Sequence, residues 1–139
     1  MMTNIAEKIA DLINKQSVAF ISSLDEDGFP NTKAMLASRK HDGIKTFYFT
    51  TNTSSMRVQQ YLANNHACLY FYDTKTLDAV MLKGNMDVLQ DQASRKLIWQ
   101  DGDDKYYPQG VTDPNYSVLR FTTQTGRLYS NHKSEDFKI

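Results

Sequence analysis

Eight consecutive residues, TTNTSSMR at 50–57, hold the chain's densest set of anion-binding groups. They follow the aromatic, strand-like run TFYF (46–49) and precede Val58, Tyr61 and Leu62, which fall at helical spacing. A strand that ends in the hydroxyls of Thr50 and Thr51 and leads into a helix opening with Ser and Arg can form an anion cradle. Backbone N–H groups in the first turn of a helix lack intrahelical acceptors, and the helix dipole favours negative charge there. Ser55 can donate from its hydroxyl, and Arg57 offers a planar fork that fits phosphate oxygens. A phosphorylated ligand suits this arrangement. A purely structural reading stands beside it, with Ser54 as a helix N-cap and Arg57 as a solvated helix residue.

Two other segments stand out, and the first could face the same ligand. PNTKAML (30–36) places Lys33 in a strand expected to lie close to 44–51, although alternation leaves open which face Lys33 takes. In YYPQGVTDP (106–114), Gly110 permits positive φ and Pro114 holds Asp113 extended, which reads first as a structural turn. Other chemistry is sparse. No Walker A loop, GxGxxG or GxSxG motif occurs. His41, His66 and His132 do not stand at metal-ligand spacing, and no metal site is expected. His41 and His66 read as solvated, and the acidic groups at 25–27 and 101–104 read as solvated turns. Cys68, the one cysteine, lies in the apolar run ACLYFY and reads as a small buried hydrophobe with no cationic neighbour in sequence. Any redox chemistry would then fall to a bound cofactor rather than to the side chains.

The elements that must position these groups are legible from periodicity. Ile5, Ile9, Leu12 and Ile13 give residues 4–15 one apolar helical face, with Asn4 and Glu7 as a start signal. Strands are predicted at 17–24, 30–40, 44–51, 66–73, 78–89, 116–123 and 126–130, and helices at 54–64 and 91–100, the latter capped by Asp91. Asp-Gly turns at 27–28 and 42–43 join the first three strands as a meander. Gly84 inside a strand marks a bulge or a close backbone approach. Six or seven strands joined by short turns, with about three helices, predict a mainly β fold whose antiparallel sheet forms a closed or nearly closed barrel. Residues 126–130 read as the last strand, and the tail from His132 reads as charged.

At 139 residues the chain fits one domain, 1–139. Sixteen Lys and Arg balance sixteen Asp and Glu, which argues against a broad nucleic-acid or anionic-membrane surface. No apolar run reaches membrane-spanning length, and the amphipathic, acidic N-terminal segment does not read as a secretory signal. A cytoplasmic setting is the expectation.

Taken in order, VAFISSLDEDGFPNTKAM, IKTFYFTTNTSSMRVQQYLANNHACLYF, LKGNMDVL and PQGVTDPNYSVLR resemble the pyridoxamine 5'-phosphate oxidase-like, FMN-binding split-barrel family, in its bacterial general stress protein 26-like branch. The resemblance spans nearly the whole chain. It implies a split barrel and a homodimer with FMN in clefts at the subunit interface. It implies that Lys33, Ala34 and Met35 line the flavin ring, that Thr50 and Thr51 meet the flavin and its phosphate, and that Ser55 and Arg57 form the phosphate clamp. In that clamp Arg57 replaces the family's Lys, which keeps the charge and adds a bidentate fork. Trp99 and Tyr129 match positions where a partner's aromatics approach the ring, with Tyr129 standing where Trp is frequent. No positions after 130 match the arginine and histidine that true pyridoxamine-phosphate oxidases devote to their substrate, so vitamin B6 oxidation is not expected. A flavin-dependent oxidoreductase drawing on a reduced nicotinamide is the reading that follows. A non-enzymatic flavin store or stress sensor, or a barrel holding haem or F420, are the alternatives.

Overall fold

Period-two burial organises the chain. In β1 (Val18–Leu24), Ala19, Ile21 and Ser23 point inward while Phe20 is exposed. The same alternation runs through β4 (Thr46–Asn52), which buries Phe47, Phe49 and Thr51, and β5 (His66–Tyr72), which buries Ala67, Leu69 and Phe71. The computed structural model describes residues 2–139, with side chains from Ile5 onward. The remaining strands are β2 (Pro30–Leu36), β3 (Lys40–Asp42), β6 (Ala79–Leu89), β7 (Tyr116–Ser130) and β8 (Lys133–Lys138), and the helices are α1 (Met2–Asn14), α2 (Met56–Ala63) and α3 (Gln92–Ile98).

All strands join one antiparallel sheet in the order β2-β1-β5-β6-β7-β4-β3, with β8 pairing the far half of β7. β7 shares one edge between two partners: residues 116–122 face β4 and residues 125–130 face β8. Its other edge runs along β6, where the register slips between Lys83 and Gly84. A Cβ at Gly84 would run into the backbone carbonyl of Thr122, so the glycine marks both a bulge and a close approach, as its place in the sequence predicts.

The sheet curls so that β2 and β4, which do not pair, both line one cleft. The connection after β2 ties the two edges at one end: Ala37 N–H donates to Ser17 O at 3.0 Å, and Arg39 N–H donates to Tyr48 O at 2.8 Å. The fold is a mainly β split barrel, as the sequence predicts.

Ile9, Leu12 and Ile13 of α1 pack into the main core with Phe47, Phe71, Leu82, Met86 and Phe121. A second cluster of Ile98, Tyr107, Tyr116 and Val118 forms beside α3.

Five expectations change. The predicted strand at 30–40 is two, broken between Leu36 and Lys40. The segments 116–123 and 126–130 are one fifteen-residue strand, because Gly126 leaves room for the Phe137 ring and lets pairing continue. The charged tail is β8, turned back through Asn131 and His132, both at positive φ. His41 is an integrated strand residue, stacked 5.5 Å from Phe47 and bonded through Nδ1 to Gly43 O and through Nε2 to Asn14 Oδ1, both at 2.9 Å. α1 begins at Met2, so Asn4 lies inside the helix, and its side chain falls outside the described ones.

Candidate functional site

The anion-binding segment is built by the end of β4 and the turn into α2. Thr53 N–H donates to Asn115 O at 2.8 Å, Ser54 N–H donates to Asn115 Oδ1 at 3.1 Å, and the hydroxyls of Thr53 and Ser117 meet at 2.6 Å. These bonds lock the turn onto the start of β7. The helix cap is Ser55 rather than Ser54: its backbone is extended and its Oγ accepts from Val58 N–H at 3.4 Å. A capping hydroxyl spends an acceptor pair and keeps its proton, so Ser55 can still donate to an anion. Thr51 Oγ1 lies 3.5 Å from Ser55 Oγ and accepts from Arg57 Nη2 at 3.3 Å.

Arg57 carries the most informative detail. Its Nε is buried and has no acceptor among the described residues. Its guanidinium takes part in none of the ion pairs found among them, which join Arg39 to Asp103, Arg120 to Asp87 and Arg127 to Asp136. A buried N–H of a charged group without an acceptor is costly. Arg95 Nε is buried without an acceptor in the same way, so what sets Arg57 apart is that it lines the cleft with no carboxylate paired to it among the described residues.

The cleft has a volume of about 470 Å³, in the size range of small-molecule sites. Six of the nine sequence-predicted residues line it: Lys33, Ala34, Met35, Thr50, Thr51 and Arg57. Lys33 pairs with Ile21, which is buried in the core, so Lys33 lies on the barrel's inner side at its open edge and reaches the cleft. This settles the face that alternation left open. Met35 pairs with Ala19 and packs partly against the core. Ser55 stands beside the cleft through Thr51.

Trp99 and Tyr129 do not line the cleft of their own chain. Trp99 caps the C-terminus of α3 and meets Tyr116 edge-on, with ring centroids 5.2 Å apart. Tyr129 sits in β7 between Ala79 and Ser134, half-buried.

Sequence reasoning missed Arg39, Tyr106 and Tyr107, all of which line the cleft. It also misread Asp103 as a solvated turn residue. Asp103 is buried and bidentate with Arg39, Nη1 to Oδ2 at 2.8 Å and Nη2 to Oδ1 at 2.9 Å. The hydrogen bond from Arg39 holds the Asp103 carboxyl below the usual carboxylate range, and burial opposes that shift. The same bond raises Arg39. Asp103 also accepts from Gln100 N–H at 2.9 Å. A left-handed Gly102, with φ +96°, was the signal that DGDD makes a defined turn.

Cys68 likewise departs from expectation. It is half-buried, on the strand face opposite Ala67 and Leu69, and stands directly across from Ser22 on β1 and Lys83 on β6. The cationic neighbour invisible in sequence is supplied by strand pairing.

Among cleft-lining residues the charged groups are Lys33, Arg39 and Arg57, with no carboxylate and no histidine. Arg39 is neutralised by Asp103, which leaves two uncompensated cations. The site is thus an anion-receptive cleft in the wall of an antiparallel split barrel.

That class has a family. The sequence profile described as pyridoxamine 5'-phosphate oxidase matches residues 5–130, and the chain belongs to that family. It is similar, at 38% identity and a TM-score of 0.87, to the crystal structure of a Clostridium acetobutylicum protein related to general stress protein 26 of B. subtilis and placed in the pyridoxinephosphate oxidase family. That likeness covers 98% of this chain and 95% of the other. Similarity to the pyridoxine/pyridoxamine 5'-phosphate oxidase of Agrobacterium fabrum is 26% over 88 residues, which is 63% of this chain and 42% of that protein, so less than half of that relative's length is spanned. A heme binding protein from Mycobacterium smegmatis shares the fold at a TM-score of 0.76 and 14% identity, over 96% of this chain and 57% of that one. No helix among the described residues is long and apolar enough to cross a membrane.

Proposed function

We propose that this chain binds FMN in the cleft between β2 and β4 and acts as a flavin-dependent oxidoreductase. The observation that carries the reading is the Arg57 guanidinium, which lines the cleft beside the Thr51 hydroxyl as a charge with no counter-ion among the described residues. A terminal phosphate satisfies it: Arg57 forms charge-assisted hydrogen bonds, Ser55 donates its free hydroxyl proton, and the first turn of α2 adds unpaired N–H groups. The β2 segment of Lys33, Ala34 and Met35 forms a wall for a flat ring, and Lys33 places a positive charge beside it. When bound, FMN supplies hydride and single-electron chemistry.

The protein's own contribution is binding and electrostatics. Cleft-lining side chains include no carboxylate or histidine to act as a general acid or base near neutral pH. That same observation favours a second reading, a flavin store or sensor without turnover. Haem suits the cleft less well, since an axial histidine would be expected and His41, His66 and His132 do not line it. Trp99 and Tyr129, which do not reach the cleft of their own chain, are proposed to complete that of a second copy in a homodimer.

The test is the visible spectrum of the purified protein, followed by titration with FMN while flavin fluorescence is recorded. A flavin spectrum, or fluorescence quenching that saturates, supports the reading. Colourless protein that leaves FMN fluorescence untouched overturns it, and a Soret band redirects it to haem. Reduction of the bound flavin by NADH or NADPH separates an oxidoreductase from a store.

A further inference from the structure

Trp99, the chain's one tryptophan, is tied on both sides to a single ion pair. The residue before it, Ile98, accepts at its carbonyl oxygen from Arg39 Nη1 at 3.2 Å. The residue after it, Gln100, donates its backbone N–H to Asp103 Oδ2 at 2.9 Å, and the Asp103 N–H donates back to Gln100 O at 3.1 Å. Arg39 and Asp103 hold one another through two hydrogen bonds, so both chain neighbours of Trp99 hang from one largely buried unit. That unit is itself fixed to the barrel, where Arg39 N–H donates to Tyr48 O of β4 at 2.8 Å. The Asp103 carbonyl oxygen accepts from the N–H groups of Tyr106 and Tyr107, both at 3.0 Å. Arg39 and Tyr107 line the cleft. The Tyr107 ring also stands 6.3 Å from the Trp99 ring, centroid to centroid. Trp99 therefore meets the cleft wall twice, through its backbone by way of Arg39 and through its ring by way of Tyr107, without lining the cleft itself.

From this arrangement we infer that Arg39 and Asp103 are positioning residues that fix Trp99 and tie its setting to the occupancy of the cleft. The inference rests on the FMN reading for its ligand. A ligand against Arg39 and Tyr107 bears on the two groups that hold Trp99, and packed side chains joined by hydrogen bonds carry such a bias without Trp99 touching the ligand. Linkage makes the effect mutual: if FMN biases the setting of Trp99, releasing Trp99 must change FMN affinity by the same free energy. The direction of that change is diagnostic. Asp103→Asn strips Arg39 of its counter-charge, and an Arg39 that acted only as a cation would then hold the FMN phosphate more tightly. An Arg39 that acts by positioning Trp99 holds FMN less tightly once the pair is broken. Where Trp99 completes the cleft of a second copy, as proposed above, the same linkage runs from one cofactor site to the other.

The experiment places fluorotryptophan at the chain's single tryptophan position and follows its one fluorine NMR resonance, first in flavin-free protein and then through an FMN titration. Wild type, Asp103→Asn, Arg39→Lys and Gly84→Ala are compared, and FMN affinity is read separately from quenching of flavin fluorescence. The wild-type resonance should be single and should move as FMN saturates. In flavin-free Asp103→Asn it should broaden or split, its movement with FMN should be largely lost, and FMN affinity should fall about fivefold, a modest coupling. Arg39→Lys, which keeps both charges and gives up the planar fork, should broaden it likewise, and decides the matter if Asp103→Asn does not fold. Gly84→Ala, destabilised at the β6–β7 bulge, should keep the wild-type resonance and its movement. Wild-type protein that binds no FMN sinks the cofactor reading and this coupling together. A flavin-free Asp103→Asn resonance identical to that of wild type shows that the pair does not position Trp99, and overturns the inference whatever FMN does. FMN that binds without moving the wild-type resonance, or moves it equally in Asp103→Asn, overturns the coupling alone. So does tighter FMN binding by Asp103→Asn, which would make Arg39 a direct contact of the cofactor. The same broadening in Gly84→Ala would trace the effect to lost stability and overturn the inference as well.

Discussion

Arg39 and Asp103, sixty-four positions apart, form a two-pronged ion pair that fastens the loop after α3 to the segment bridging β2 and β3. The pair is largely buried, with side-chain exposures of 21% for Arg39 and 7% for Asp103. Removing one partner leaves the other charge uncompensated, so Asp103→Ala should cost about 3 kcal/mol in urea-induced unfolding at neutral pH. The sign of the acid response follows from the lowered Asp103 carboxyl. A carboxyl lowered in the folded state stabilises fully above its ordinary value of 3.8, and that stability is lost as pH falls from there through its folded value. Wild type should therefore lose stability below pH 3.8 more steeply than Asp103→Asn, when unfolding midpoints are compared down the acid limb. Parallel acid limbs would show that the pair contributes nothing to the pH dependence.

Arg57 and Ser55 should separate by ligand. Arg57→Ala removes charge-assisted hydrogen bonds worth roughly 1.5–3 kcal/mol, so FMN affinity should fall about ten- to a hundredfold. Riboflavin, which lacks the phosphate, should bind wild type and Arg57→Ala alike. Equal losses for both ligands would place Arg57 against the ring instead. Ser55→Ala removes the α2 cap as well, and should lower folding stability by about 1 kcal/mol whatever the ligand does.

The fold's legibility was uneven for physical reasons. Strands with a full apolar alternation, such as those around Phe47 and Leu69, declare themselves because burial on one face is what makes them strands. Of the predicted residues, Thr50, Thr51, Arg57 and Lys33 come to one cleft, and their grouping was readable because helix entry and strand spacing are local. Arg39, Tyr106 and Asp103 were not, because their roles depend on a contact across the fold that no window of sequence contains. Lys83 beside Cys68 was hidden for the same reason, since strand pairing brings the two together.

Gly84 was readable, and it makes a stability prediction. The backbone carbonyl of Thr122 occupies the space a Cβ would need, and backbone in a paired strand cannot swing aside as a side-chain tip can. Gly84→Ala should therefore destabilise the protein by about 2 kcal/mol, as overpacking does. An unchanged thermal midpoint would mean that the β6–β7 bulge absorbs the methyl group.

The turn between β7 and β8 yields the opposite sign. Asn131 and His132 have φ of 54° and 61°, the left-handed pair that a two-residue hairpin of type I′ demands. Asn tolerates that region and glycine at the second place is the strong signal, so a histidine there left the hairpin unannounced. KSEDFK compounds the silence, because Phe137 alone is buried among its six residues. β8 forms because β7 offers it an edge and Gly126 a socket for the Phe137 ring, not because its own pattern calls for a strand. His132 is exposed, so replacing it removes no packing. His132→Gly should relieve the left-handed strain and, after the extra unfolded-state entropy of glycine, raise stability by about 0.5 kcal/mol. Thermal unfolding checks it: the midpoint should rise by roughly 1–2 °C for a domain of this size. A fall would mean that His132 makes a contact worth more than the strain it bears.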